Sequence, residues 1–129
     1  MYTQNAMAVM RRRYLHKKGN KSETPEEMFA RVANCVAGAE GDIPKAKKAK
    51  LVESYADMMA KLEFLPNTPT LVNAGTGNGC AFSACYVLDV EDSLDDIFTT
   101  MKYAALVQKY SGGVGINWSK IRPKDFVIK

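Results

Sequence analysis

The chain has 129 residues, 47% of them hydrophobic and 25% charged, which is the makeup of a globular domain with room for one core, and nothing in that composition argues for disorder. No apolar run approaches the ~18 residues that cross a bilayer, and the amino terminus lacks the apolar stretch of a secretory signal, so a cytoplasmic setting with no membrane contact is expected. The net charge of +4 is uneven: residues 1–60 carry eleven Lys and Arg against seven acids, and residues 61–129 carry seven of each.

Between Asn5 and Leu15, Ala6, Val9, Met10, Arg13 and Tyr14 recur at helical spacing and predict a short helix ended by Gly19-Asn20. Arg11, Arg12 and Arg13 with Lys17, Lys18 and Lys21, and later Lys45, Lys47, Lys48 and Lys50, can meet nucleic acid or nucleotide phosphates. Without interleaved aromatic residues they read better as solvated helix surface, and no direct nucleic-acid contact is expected. Thr24-Pro25-Glu26-Glu27 is a helix start: Thr24 caps, Pro25 suits the first helical position, and Glu27 reaches back as in a capping box. Met28, Phe29, Val32 and Val36 follow as one stripe, with Gly38 and Gly41 closing the helix. A third helix is expected from Asp42 and Pro44 through Leu51, Val52, Tyr55, Met58, Met59 and Leu62 until Pro66 stops it. Residues 1–64 thus read as a helical domain, and 65–129 as the beginning of a different, α/β one.

After Pro66 the pattern changes. Asn67-Thr68-Pro69 and the stretch from Asn73 to Gly79 predict turns, and the run from Ala81 to Val90 suits a buried strand. Asp92 or Ser93 then caps a helix with acids in its first turn and a face of Leu94, Ile97, Phe98, Met101, Ala105 and Gln108. Gly112-Gly113 ends it, and Val114 to Trp118 forms another strand. Strand, helix, strand implies a parallel arrangement, so the fold class is α-rich α/β.

Taken singly, the pieces that carry chemistry have plain explanations. Cys35, Cys80 and Cys85 are an odd set without a secretory signal, which argues against a disulfide framework. Cys80 and Cys85 have no second pair and no nearby histidine, the only one being His16, so no closed zinc site is expected. Cys85 alone reads as a small buried hydrophobe. Gly112-Gly113-Val114-Gly115 permits close backbone approach to a ligand but serves equally as a helix end and tight turn. Asn67, Thr68 and Thr70 suit a phosphate or a sugar hydroxyl, yet polar residues beside proline are common in turns.

In combination, the run Leu65-Pro66-Asn67-Thr68-Pro69-Thr70-Leu71-Val72-Asn73-Ala74-Gly75, then Ser83-Ala84-Cys85-Tyr86-Val87-Leu88, then Ser111-Gly112-Gly113-Val114-Gly115, resembles the front wall of the active site in the catalytic subunit of ribonucleotide reductase. The earlier Asn5-Ala6 through Tyr14-Leu15, and Glu23-Thr24-Pro25-Glu26-Glu27-Met28-Phe29-Ala30-Arg31-Val32-Ala33, resemble the start of the adenosylcobalamin-dependent class II enzymes. The resemblance runs from about Asn5 to Lys124. It implies a helical amino-terminal domain followed by the first strands and the dimer helix of a ten-stranded α/β barrel.

The resemblance also implies functional residues. In the family, radical chemistry removes the ribose 2′-hydroxyl of a ribonucleoside di- or triphosphate while a cysteine pair supplies two electrons; Cys85 matches the first of that pair. Thr68, Ala84, Cys85 and Gly113 match substrate-contact positions. Asp92, Ser93 and Leu94 match positions that hold the sugar of a deoxynucleoside triphosphate effector, and Lys109 and Arg122 match positions that meet its phosphates. A homodimer through helix 93–110 is implied.

Two departures accompany these matches. Gly77-Asn78-Gly79-Cys80-Ala81-Phe82 differs from the family's polar segment, leaving Cys80 without a family role. The radical-bearing cysteine, its neighbouring Asn and Glu, the second redox cysteine and most of the barrel and adenosylcobalamin-binding surface lie outside this sequence. The expectation is a split enzyme, inactive until a carboxy-terminal reductase polypeptide completes it. The alternative is a non-catalytic nucleotide-binding or assembly module derived from the same family.

Overall fold

The computed structural model describes residues 2–77, 81–110 and 112–126, which fall into two compact units, Met1–Phe82 and Ser83–Lys129. In the first, helix α1 (Gln4–Arg13) is capped by Thr3, whose hydroxyl accepts the Ala6 N–H at 3.2 Å. Gly19, at φ 60°, belongs to the bend of an antiparallel hairpin, β1 (Lys17–Lys18) with β2 (Lys21–Ser22), where a simple helix stop was expected.

Helix α2 (Pro25–Ala37) opens on the expected capping box: Thr24 Oγ1 accepts the Glu27 N–H at 3.2 Å and the Glu27 carboxylate accepts the Thr24 N–H at 2.8 Å. Met28, Phe29 and Val32 are buried as the stripe predicts, but Val36 is exposed and Ala37 is buried in its place. Gly38 leads into a 3-10 turn, Gly38–Glu40, before helix α3 (Lys45–Ala60).

Helix α3 ends before the expected proline stop. Leu62 turns to φ 60°, its N–H bonding the Met59 carbonyl and the Glu63 N–H bonding the Met58 carbonyl, both at 3.1 Å. This is a Schellman closure with leucine in the place that usually goes to glycine, so an apolar residue at helical spacing is here the residue that ends the helix.

The predicted turn at Asn67-Thr68-Pro69 is the start of a further helix, α4 (Thr68–Asn73), with Asn67 as its cap and Pro69 in its first turn. Leu71 and Ala74 then enter the core with Leu15, Met28, Phe29, Val32, Ala33 and Met59. Each large apolar side chain so enclosed stabilises the unit by roughly 1.5–3 kcal/mol. Because this segment completes the core, the first compact unit runs to Phe82, beyond residue 64.

The second unit is the expected strand, helix, strand: β3 (Cys85–Asp89), α5 (Leu94–Lys109) and β4 (Gly113–Asn117), with parallel register from Cys85 opposite Gly113 to Asp89 opposite Asn117. Helix α5 packs on both strands. Thr100 is buried and Ile97, Ala104 and Val107 are half-buried. Of the predicted face, Ile97 alone is half-buried, and Leu94, Phe98, Met101, Ala105 and Gln108 are exposed. The strand expected to be buried alternates instead, and Val87 is 80% exposed. No helix among the described residues is long and apolar enough to cross a membrane.

Candidate functional site

In the first unit the residues of interest lie on α4. Asn67 Oδ1 accepts the Thr70 N–H at 3.0 Å and the Thr70 hydroxyl at 2.6 Å, which fixes the helix start. Thr68 is the first helical residue; it is exposed, and its hydroxyl lies 3.0 Å from Tyr14 Oη.

The far end of α4 is held by side chains that sequence reasoning did not single out. His16 Nε2 lies 2.7 Å from the Val72 carbonyl, so that nitrogen carries a proton and donates it. The Arg31 guanidinium donates to the Leu71 carbonyl at 3.1 Å and to the Ala74 carbonyl. Arg31 is itself gripped by Glu23, Nε to Oε1 at 2.8 Å and Nη2 to Oε2 at 3.1 Å, in a pair whose side chains are 13% and 8% exposed. Burial raises the Glu23 pKa, but the hydrogen bonds from Arg31 and the His16 backbone N–H, with the charges of Arg31 and His16, outweigh it and hold the carboxyl below its ordinary range. These partners are far apart in sequence, and only Arg31, with five donors on a rigid fork, carries a signal of such a role.

In the second unit the strand register brings Ala84, Cys85 and Gly113 together. The Gly113 N–H donates to the Ala84 carbonyl at 2.7 Å, and Cys85 opens β3 as a free, exposed cysteine, so the packed-hydrophobe reading does not describe it. The adjacent glycines differ in what they are for. A Cβ at Gly112 would fall 2.6 Å from Val107 Cγ1 and 2.9 Å from Tyr86 Cε2, so packing of the end of α5 demands glycine. A Cβ at Gly113 would meet Ala84 O at 3.5 Å and Cys85 Sγ at 3.8 Å, ordinary contacts. The fold tolerates a side chain at 113; what glycine leaves there is bare backbone beside a thiol.

A separate cluster lies past the carboxyl ends of the strands, about 16 Å along β3 from Cys85. Ser93 is the helix cap, its Oγ accepting the Asp96 N–H at 3.2 Å. Asp92 is paired with Arg122: Oδ2 takes the Arg122 Nε, while Oδ1 is buried and has no hydrogen-bond partner among the described residues. Arg122 is therefore no freely solvated charge. Leu94 is exposed beside them. Lys109 is not brought to this cluster. It ends the 16-residue α5, on the order of 24 Å from Ser93, and its ammonium lies 5.7 Å from the Tyr110 ring centre. Cys80 lies outside the described residues, among which no group of His, Cys, Asp and Glu is gathered to hold a metal ion.

Residues 1–79 match the family model described as ribonucleotide reductase, all-alpha domain, and residues 83–129 that described as ribonucleotide reductase, barrel domain. The vitamin B12-dependent ribonucleoside-diphosphate reductase of Mycobacterium tuberculosis is 42% identical over 120 residues, covering 92% of this chain and 17% of that protein. The enzyme of the same name from Thermoplasma acidophilum is 32% identical over 183 residues, covering 98% of this chain and 24% of that protein. The ribonucleoside-diphosphate reductase subunit alpha of Bacillus subtilis is 38% identical over 91 residues, covering 70% and 12%. The chain spans a quarter or less of the length of these relatives.

Proposed function

The chain belongs to the ribonucleotide reductase family, and from that premise we propose that it supplies the amino-terminal part of an enzyme reducing ribonucleoside diphosphates to deoxyribonucleotides. The observation that supports this best is the exposed Cys85 thiol beside the bare backbone of Gly113, in register across two parallel strands. Thr68, Ala84 and Gly113 contact the nucleotide. Cys85 is one of two thiols that together give two electrons and two hydrogens: the ribose loses its 2′-hydroxyl as water, a hydrogen takes its place, and the thiols close to a disulfide. Exchange with an external dithiol then resets the pair, which an exposed sulfur permits.

Asp92, Ser93 and Leu94 receive the sugar of a deoxynucleoside triphosphate effector, the unpartnered Asp92 Oδ1 accepting from its hydroxyl. Arg122 meets the phosphates and, on binding, exchanges part of its hold on Asp92 for them. Lys109 serves the same phosphates from a second copy of α5 in a homodimer; the exposed Leu94, Phe98 and Met101 on α5 support that pairing.

The relatives named as vitamin B12-dependent support a cobalamin, adenosylcobalamin, as the radical source of the whole enzyme. The described residues offer it no seat, the one histidine being engaged at Nε2 by Val72. Its site belongs to the rest of the barrel.

The test is reconstitution of this segment with the remainder of the barrel. Adenosylcobalamin-dependent reduction of ribonucleoside diphosphates is expected, with Cys85→Ser abolishing multiple turnover and leaving effector affinity nearly unchanged. Unimpaired multiple turnover by Cys85→Ser would remove the cysteine from its role. Effector binding without any reduction would favour a non-catalytic module.

A further inference from the structure

Helix α4 has six residues, too few to persist in water by its own hydrogen bonds. Thr68, read above as a substrate contact, sits at its first position, so whatever holds the other end of α4 determines where Thr68 stands. That end is gripped by Arg31, which reaches the Leu71 and Ala74 carbonyls with one edge of its guanidinium while Glu23 binds the other. The chain leaves α4 through Gly75 at φ 73°, where a Cβ would fall 2.8 Å from Arg31 Cγ, so the exit is pressed against the arginine stem. A guanidinium is suited to the task because its fixed fork serves a carboxylate and two carbonyls at once, whereas an ammonium is a point donor.

We propose that Arg31, fixed by Glu23, is a positioning residue for nucleotide reduction: by gripping the last carbonyls of α4 it sets where Thr68 meets the substrate. The proposal rests on Thr68 being a substrate contact. Helix α4 is short enough to move as one piece, so slackening its final turn displaces Thr68 and breaks the 3.0 Å contact of its hydroxyl with Tyr14.

The experiment compares Arg31→Lys, Thr68→Val and the double variant in the complete reductase, with a ribonucleoside diphosphate as substrate. Lysine keeps a charge opposite Glu23 but has no fork for the two carbonyls. Arg31→Lys and Thr68→Val should each raise KM about fivefold, the size of one lost hydrogen bond, with kcat changed far less. The double variant should show a KM no higher than the larger single effect, because both act through one contact. Effector Kd should not move. Glu23→Gln, which keeps the carboxylate's shape, should raise KM in the same direction by less, and it carries the test if Arg31→Lys does not fold. A raised KM in Thr68→Val with no change in Arg31→Lys or Glu23→Gln would overturn the role of Arg31 and leave the substrate contact standing. Multiplying effects in the double variant would also overturn it. An unchanged KM in Thr68→Val would refute the contact itself and, with it, the route from Arg31.

Discussion

Helices α2 and α5 are both multi-turn and both capped by a hydroxyl, yet α2 buries Met28, Phe29, Val32, Ala33 and Ala37 whereas α5 buries only Thr100. The contrast is not one of composition. Helix α2 has α3 and α4 packed on it, so its apolar stripe is enclosed within the first unit. Helix α5 has two strands against one side, and its other apolar residues, Phe98 at 66% exposed among them, have nothing over them in their own unit. A stripe becomes core only where a second layer exists to receive it.

The sharpest way to break this comparison is to truncate one phenylalanine in each helix. Phe29→Ala should cost about 3–5 kcal/mol in urea unfolding followed by circular dichroism, whereas Phe98→Ala should stay within about 0.5 kcal/mol in dilute protein. A large loss at Phe98 would mean that α5 already has a cover.

Ion pairs sharpen the contrast next. Arg31→Met strands the Glu23 charge in a shielded site and should cost about 3 kcal/mol. Lys120→Met, which removes the exposed partner of Glu91 in the second unit, should leave the denaturation midpoint unmoved. Glu23 adds a pH signature. Its carboxyl is held below its ordinary value of 4.5, so the stability it contributes is complete above that value and is lost as pH falls through the lower folded one. The melting temperature of the first unit should therefore fall on acidification below pH 4.5, and Glu23→Gln should flatten that limb. Identical acid limbs with and without the substitution would sink the assignment.

The smallest effect concerns the caps. Thr24→Ala and Ser93→Ala should each cost about 1 kcal/mol, with Thr24 the larger because Glu27 reciprocates its bond. Scanning calorimetry of both variants checks the order, and a larger loss at Ser93 would reverse it.

What was legible in advance was local chemistry. Thr24 and Glu27 announce a capping box by spacing alone, and Asp92-Ser93 announces a cap before Asp95 and Asp96, which the structure assigns to Ser93. The same chemistry was misjudged at Asn67-Thr68-Pro69, because an asparagine before a proline opens a turn or a helix equally well, and only the docking of Leu71 selects the helix. The family motifs brought Thr68, Cys85 and Gly113 into view, but not the register that sets Cys85 opposite Gly113.

By itself the sequence determined which segments become helices or strands over most of the chain and, through its motifs, the family, since both depend on residues close together along the backbone. Tertiary structure alone decided that Asp92 pairs with Arg122, that Leu62 turns left-handed, and that Arg31 grips α4. Those outcomes depend on which layer covers which face and on where a long side chain finds unsatisfied carbonyls, and residues distant in sequence are the ones that supply both.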